Sequence, residues 1–279
     1  MLKIVNNKNY KILNFMGIFF LILPIALFTG SFLPDLIVVM LSFFFLFLCF
    51  KNNKIFFVKN FYFFFFCVFL LYLNGRAFFS DSIIISTKVS LFYIRFGIFV
   101  LSILLILKYC KNIEVYFFNI LFFSIFFVSF DVIFQFLFGV DIFGIKNPDP
   151  SRITGIFGAE AIAGSYLVRL IPILQFLYFI KIQKKKSYNF FLISLLLVMT
   201  DIAILLSGER ASFFYLLLSN IFLMLLSKDY IKFRFFSLVI SIILIIIISI
   251  NSSIVRERVF VSTFKEMNFN EKNISSNNN

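Results

Sequence analysis

The sequence contains no histidine and no tryptophan, and only three of its 279 residues are cysteine. Histidine and cysteine are the usual ligands of zinc and other soft metals. Cys49, Cys67 and Cys110 have neither metal-binding nor redox spacing and lie within or at the ends of apolar segments. The sequence therefore excludes an ordinary soft-metal site, and it predicts no metal and no cofactor.

Charged residues are also scarce: they make up 14% of the chain, whereas hydrophobic residues make up 62%. Soluble domains average roughly 25% charged and 45 to 50% apolar residues, so a water-soluble fold is excluded. The net charge of +13 could suggest nucleic acid as a partner. A basic surface binds nucleic acid only when its charges are presented together, and here they are scattered through short loops between apolar runs. No nucleic-acid partner is predicted.

Long apolar runs fill most of the chain. A helix of about 20 apolar residues crosses a hydrocarbon core of about 30 Å. The sequence predicts an all-α polytopic integral membrane protein whose transmembrane domain covers residues 1–250, with 251–279 as the start of an external loop that is cut short. Its nine predicted spans lie near residues 12–29, 33–50, 55–73, 89–107, 115–138, 162–180, 190–206, 211–227 and 235–250.

Lysine and arginine are distributed differently among the loops. The N-terminus and segments 51–60, 108–114, 181–189 and 228–234 hold 14 of the 18 lysines but one of the eight arginines. Lysine-rich loops of bacterial membrane proteins remain in the cytoplasm. We therefore expect a multi-pass membrane protein with a cytoplasmic N-terminus and its C-terminus on the opposite face. If the organism is a Gram-negative bacterium, the membrane is the bacterial inner membrane and that face is periplasmic.

The opposite face carries most of the arginines. Five of them are predicted there: Arg76, Arg152, Arg210, Arg256 and Arg258. A guanidinium group binds phosphate or carboxylate through two parallel hydrogen bonds, whereas an ammonium group acts as a point charge. This distribution indicates an anionic ligand on the external face. The alternative is that the arginines contact lipid headgroups or pair with nearby acidic residues.

Four ionisable residues fall inside predicted spans, where each costs about 2.5 to 3.5 kcal/mol on insertion scales and so needs a partner or a function. They are Arg95, Asp131, Arg169 and Asp201. At about 1.5 Å per residue, all four lie roughly 10 Å below the predicted outer surface. One interpretation pairs Arg95 with Asp131 and Arg169 with Asp201. The other is a polar cavity open to the outside, which Gln135 favours because it lies one helical turn from Asp131.

The segment between the fifth and sixth predicted spans is rich in proline, glycine and alanine. Pro148 and Pro150 forbid a continuous helix, and Gly155, Gly158 and Gly164 permit close backbone approach. We expect a re-entrant loop that leads into a helix whose free amides and positive dipole end would favour an anion. Small residues of this kind also serve as simple helix-packing contacts.

A tight turn between the seventh and eighth predicted spans contains Ser207, Gly208, Glu209 and Arg210; we call it the SGER turn. Arg210 then stands at a helix N-terminus, where a cation is electrostatically disfavoured. Its position predicts a partner, either Glu209 or a bound anion.

Three segments resemble the O-antigen ligase and O-antigen polymerase family of bacterial envelope glycosyltransferases. They are DVIFQFLFGVDIFG, RITGIFGAEAIAGSYLVRLIP and LLSGERASFF, which together cover residues 131–213, with weaker similarity in SLFYIRFG. The resemblance implies a polytopic enzyme that moves a glycan from a polyprenyl diphosphate carrier to lipid A core or to another glycan. It implies that Arg152, Arg169 and Arg210 hold the diphosphate, and that a carboxylate such as Glu160, Glu209 or Asp149 serves as acceptor base.

The chain departs from that family at its C-terminal end. Family members continue into a large external loop with a histidine-containing motif and further membrane helices, whereas this sequence ends at Asn279 without histidine. A catalytic residue is therefore not assigned, and an inactive fragment of the family is one alternative. The other is a transporter or flippase for an anionic or lipid-linked substrate, in which the polar layer forms the substrate path. Ligase and polymerase activity, the glycan and the acceptor are not distinguished by the sequence.

Overall fold

The computed structural model describes residues 7–51, 61–147, 149, 152–179, 190–226 and 228–251. Every regular element in these ranges is helical, apart from one isolated β-bridge between Val140 and Lys146. The α-helices are α1 (Asn7–Ala26), α2 (Phe32–Lys51), α3 (Phe61–Ala77), α4 (Ile83–Phe92), α5 (Ile94–Tyr109), α6 (Ile113–Phe138), α7 (Ala163–Leu177), α8 (Phe190–Leu206), α9 (Arg210–Leu226) and α10 (Lys228–Asn251). Short 3₁₀ turns occupy Leu27–Thr29 and Gly155–Phe157.

The predicted all-α membrane architecture is confirmed at the level of its helices. Counted with α4 and α5 as one composite helix interrupted at Tyr93, the described residues form nine apolar helices, one for each predicted span. Within the described part of the chain, four segments are long and apolar enough to cross a membrane: Tyr10–Thr29, Phe32–Lys51, Ile83–Tyr109 and Ile113–Phe138. The other apolar helices are shorter. The chain is a multi-pass membrane protein, and the count of nine spans stays a prediction.

The last helix begins earlier than predicted. Segment 228–234 was expected to be a loop, but α10 starts at Lys228. The segments 51–60 and 181–189 lie almost entirely outside the described residues, as does 251–279 beyond Asn251.

The chain divides into two compact units, residues 1–120 and 121–279. In the first unit α2 packs against α1 and α5. Met16, Leu41 and Phe45 are buried in its core, and Phe20 stacks on Phe117 with ring centroids 4.4 Å apart. These side chains exclude lipid from the helix contacts by close packing, the main source of helix association in a bilayer.

In the second unit α7 packs against α8 and α9, and α8 packs against α10. Leu167, Leu174 and Leu197 are fully buried between these helices. Outward-facing side chains remain apolar, as in Phe214 and Ile243, which suits a surface that faces lipid tails. The loop between α6 and α7 and the SGER turn between α8 and α9 belong to this unit.

Candidate functional site

The loop between α6 and α7 folds back along α6 and is held there by two polar side chains. Asp131 accepts a hydrogen bond from the backbone N–H of Ile142 at 2.9 Å. Gln135, one turn further along the same helix face, accepts from the N–H groups of Thr154 and Gly155 at 3.1 and 2.8 Å. Since Asp131 lies seven residues before Phe138, the loop returns roughly 10 Å down the helix. The loop thus folds back along α6, and its entry into the membrane stays a prediction.

Gly155 is required where the loop meets α6. Its φ of +57° lies in the left-handed region, and a Cβ built there would stand 2.8 Å from Oδ2 of Asp131. Any other L-residue would combine backbone strain with a clash against a buried carboxylate. The glycine in the RITGIF segment therefore fixes the distance between loop and helix.

Asp141 is a second buried carboxylate beside this loop. Its Oδ1 accepts the N–H of Ile145 at 2.6 Å and so closes the turn that follows α6. Asp131 and Asp141 are 0% and 1% exposed, and neither forms an ion pair with the described residues. Asp131 and Gln135 bind the backbone of the loop, so in the described structure these two side chains hold protein rather than line an open cavity.

The SGER turn docks on the first turn of α7 through Glu209. Its Oε1 accepts the backbone N–H of Gly164 at 2.9 Å, and its Oε2 accepts from the hydroxyls of Ser165 and Ser212 at 2.5 and 2.7 Å. A carboxylate at this position satisfies free amides and complements the helix dipole. The anion predicted for the start of α7 is thus supplied by the chain itself.

Gly164 permits that docking by its lack of a side chain. A Cβ at this position would overlap the hydroxyl of Ser207 and lie 3.2 Å from the carboxyl group of Glu209. Ser207 is itself buried and donates to the carbonyl of Ile204 at 2.7 Å. Gly164, in the first turn of α7, therefore allows the SGER turn to approach the helix closely.

The three predicted substrate-binding arginines belong to the elements that meet here. Arg152 precedes Ile153, whose N–H donates to the carbonyl of Leu206 at 3.4 Å, directly before the SGER turn. Arg169 lies one helical turn after Ser165 on α7, and Ser165 contacts Glu209. Arg210 follows Glu209 as the first residue of α9. One backbone hydrogen bond and the contacts of the Glu209 side chain thus join the three segments that carry these arginines.

All three arginine side chains are exposed. Arg152 and Arg169 make no side-chain hydrogen bond or ion pair with the described residues. Glu160 is exposed in the same loop, and its carbonyl accepts the N–H of Ile162 at 2.9 Å. Among the described residues, this end of the second unit therefore carries exposed guanidinium groups and the exposed carboxylate of Glu160.

The predicted ion pair between Arg95 and Asp131 is not formed. Nη1 of Arg95 donates to Oδ2 of Asp35 at 2.8 Å, within the first unit. Asp35 stands in the first turn of α2, which packs directly against α5. The helix that packs closest, rather than the next helix in sequence, supplies the partner.

Asp201 likewise pairs with Arg234 and not with Arg169. Nη2 of Arg234 donates to Oδ1 of Asp201 at 2.6 Å, and the hydroxyl of Ser241 donates to Oδ2 at 2.6 Å. Arg234 is also bonded to Asn220 and Ser237, and it is completely buried. The sequence prediction had placed Arg234 in a lysine-rich loop, so this intramembrane pair was missed. The sequence feature that could have indicated the pair is the spacing of Arg234, Ser237 and Ser241, which places the three side chains on one helix face.

In the described part of the chain, no group of three or more histidine, cysteine, aspartate or glutamate side chains could hold a metal ion. The three cysteines are free thiols. Comparison of the chain with protein-family models, with curated proteins and with solved structures finds no match.

Proposed function

We propose that the chain is a membrane glycan ligase or polymerase that moves a glycan from a polyprenyl diphosphate carrier to lipid A core or to another glycan. The observation that carries the proposal is the junction of the α6–α7 loop, the start of α7 and the SGER turn. Each of the three segments contributes one arginine, and two of these guanidinium groups have no partner in the described structure. The similarity of these same segments to the O-antigen ligase and polymerase family points to the same chemistry.

The chemistry needs positive charge where the leaving group forms. An acceptor hydroxyl attacks the anomeric carbon, the bond from that carbon to the diphosphate oxygen breaks, and the electron pair remains on the diphosphate. Arg152, Arg169 and Arg210 would hold that diphosphate through paired hydrogen bonds that strengthen as its charge grows. The hydroxyl proton passes to a carboxylate. Glu160 suits that step better than Glu209, because the oxygens of Glu209 already accept three hydrogen bonds.

This function fixes an orientation for the chain. The arginine-bearing junction would face the periplasm of a bacterial inner-membrane protein, and the lysine-rich loops would remain in the cytoplasm. Nine spans then place the N-terminus in the cytoplasm and the segment after α10 outside.

The test exchanges each arginine for lysine in the full-length gene product, because lysine keeps the charge but loses the forked contact. Arg152→Lys, Arg169→Lys and Arg210→Lys should each impair glycan transfer while protein levels stay near normal. The loss of one donor to a developing anion costs about 3 kcal/mol in known enzymes, so transfer should fall roughly a hundredfold.

Transfer from a polyprenyl-linked donor is measured in membranes, with the protein quantified in the same samples. Lys146→Arg is the matched control, since it exchanges one exposed cation for another in the same loop. Normal transfer by all three lysine variants would defeat the proposed diphosphate recognition. Loss of the protein itself would show instead that the arginines form structural ion pairs.

A further inference from the structure

A groove of about 760 Å³ opens between α3 and α4 in the first unit. Its volume is within the range of small-molecule pockets, roughly 300 to 1,000 Å³. Its walls are apolar and include Phe69, Leu73, Ile85 and Val89. Arg76, at the C-terminal end of α3, lines the same groove. One cavity therefore joins a hydrocarbon-like wall to a guanidinium group.

The polar groups that line this groove offer hydrogen-bond donors and no carboxylate. Arg76 is exposed and forms no side-chain hydrogen bond or ion pair with the described residues. The hydroxyls of Ser80 and Ser86 are hydrogen-bonded to each other at 2.7 Å, and the Ser80 hydroxyl also lies 2.9 Å from the carbonyl oxygen of Ala77. Tyr93 lines the groove as well. A cavity with these donors suits an anion.

The helix dipole alone would favour an arginine at the C-terminal end of α3, so the position of Arg76 does not by itself indicate a ligand. What distinguishes the groove is the continuity of the guanidinium and serine hydroxyl with an apolar wall. A free inorganic anion would use only the polar end. A molecule with a phosphate at one end and a hydrocarbon chain at the other would use both.

We propose that this groove binds a phospholipid with an anionic headgroup. The lipid phosphate takes the forked contact of Arg76, and an acyl chain lies along Ile85 and Val89. Basic pockets between transmembrane helices recognise anionic lipid headgroups in this manner. The proposal is independent of the glycan-transfer function, because every residue that lines the groove belongs to the first unit.

The experiment measures lipid binding to the full chain, purified in detergent, by native mass spectrometry during titration with phosphatidylglycerol and, separately, with zwitterionic phosphatidylcholine. Phosphatidylglycerol should bind more tightly to the wild type. Arg76→Gln should weaken that binding roughly ten- to hundredfold, the range expected for a charge-assisted hydrogen-bond pair. Val89→Trp should weaken both lipids by filling the apolar wall.

Lys88→Gln is the matched control, because Lys88 is an exposed cation on α4 that does not line the groove. Unchanged binding in Lys88→Gln, with melting temperatures equal across the variants, would support a specific site. Equal losses in Arg76→Gln and Lys88→Gln would reduce the effect to general charge attraction and overturn the proposal. Displacement of the lipid by inorganic phosphate alone, or stronger retention of a polyprenyl phosphate than of phosphatidylglycerol, would also overturn it.

Discussion

Removing Asp201 should destabilise the second unit more than removing any neutral member of its network. Asp201 and Arg234 have side chains that are 3% and 0% exposed, and they form an ion pair at 2.6 Å. Asp201→Leu leaves Arg234 with only the neutral oxygens of Asn220 and Ser237 as described partners, at 3.0 and 3.2 Å. A buried charge that loses its counterion typically costs about 3 to 5 kcal/mol.

The hydrogen bond from Ser241, whose side chain carries no charge, sets the lower comparison. Ser241 donates to Asp201 at 2.6 Å, and interhelical hydrogen bonds in membrane proteins average about 0.6 kcal/mol. Ser241→Ala should therefore cost less than about 1 kcal/mol. The double variant Asp201→Leu with Arg234→Met should recover much of the loss, because it removes both charges and keeps apolar volume.

Unfolding in mixed micelles with increasing sodium dodecyl sulfate measures these free energies. Asp35→Leu is the control in the first unit, since the Asp35 and Arg95 side chains are 45% and 31% exposed and their pair should contribute about 1 kcal/mol or less. If Asp201→Leu does not accumulate, Asp201→Asn retains the shape and serves in its place. Additive losses in the double variant, or equal losses for Ser241→Ala and Asp201→Leu, would refute a buried charge pair.

Two further predictions concern the α7 junction and the orientation of the chain. Gly164→Ala should destabilise the protein by about 1 to 3 kcal/mol, because its Cβ would overlap the SGER turn; Gly75→Ala, with open space around its Cβ, should be neutral or slightly stabilising in the same unfolding assay. A milder effect at Gly164 than at Gly75 would contradict the close contact. For orientation, an alkaline phosphatase fusion after Ser253 should be active and one after Lys186 inactive, and the reverse pattern would invert the proposed topology.

The helices could be predicted from hydropathy because a membrane span consists of about 20 consecutive residues that are nearly all apolar. The segment 33–50 corresponds to Phe32–Lys51, and 115–138 corresponds to Ile113–Phe138. Errors occur where charged residues continue a helix. α3 extends through Arg76 to Ala77, and α10 includes Lys228 and Arg234, because a helix end is set by hydrogen bonding and packing rather than by polarity.

The ion pairs could not be predicted from depth in the membrane. Asp201 was identified as a charge inside a span, and Arg169 on the preceding span was considered as its partner because the two residues lie at the same predicted depth. In the structure α8 packs on α10, and α5 packs on α2, so both partners come from helices that are not consecutive. Packing order is a tertiary property that short loops suggest but do not determine.

Glu209 changes how an anion can be bound at the first turn of α7. The sequence predicted free amides at this helix start, yet a carboxylate oxygen of Glu209 already accepts the N–H of Gly164 at 2.9 Å. A second anion on the same amides would meet that negative charge at close range, and the two like charges would repel each other. A diphosphate would therefore have to be held by guanidinium groups rather than by the helix dipole. Arg152 and Arg169 are exposed and have no described side-chain partner, so charge-conserving lysine exchange at these positions separates forked recognition from a general positive field.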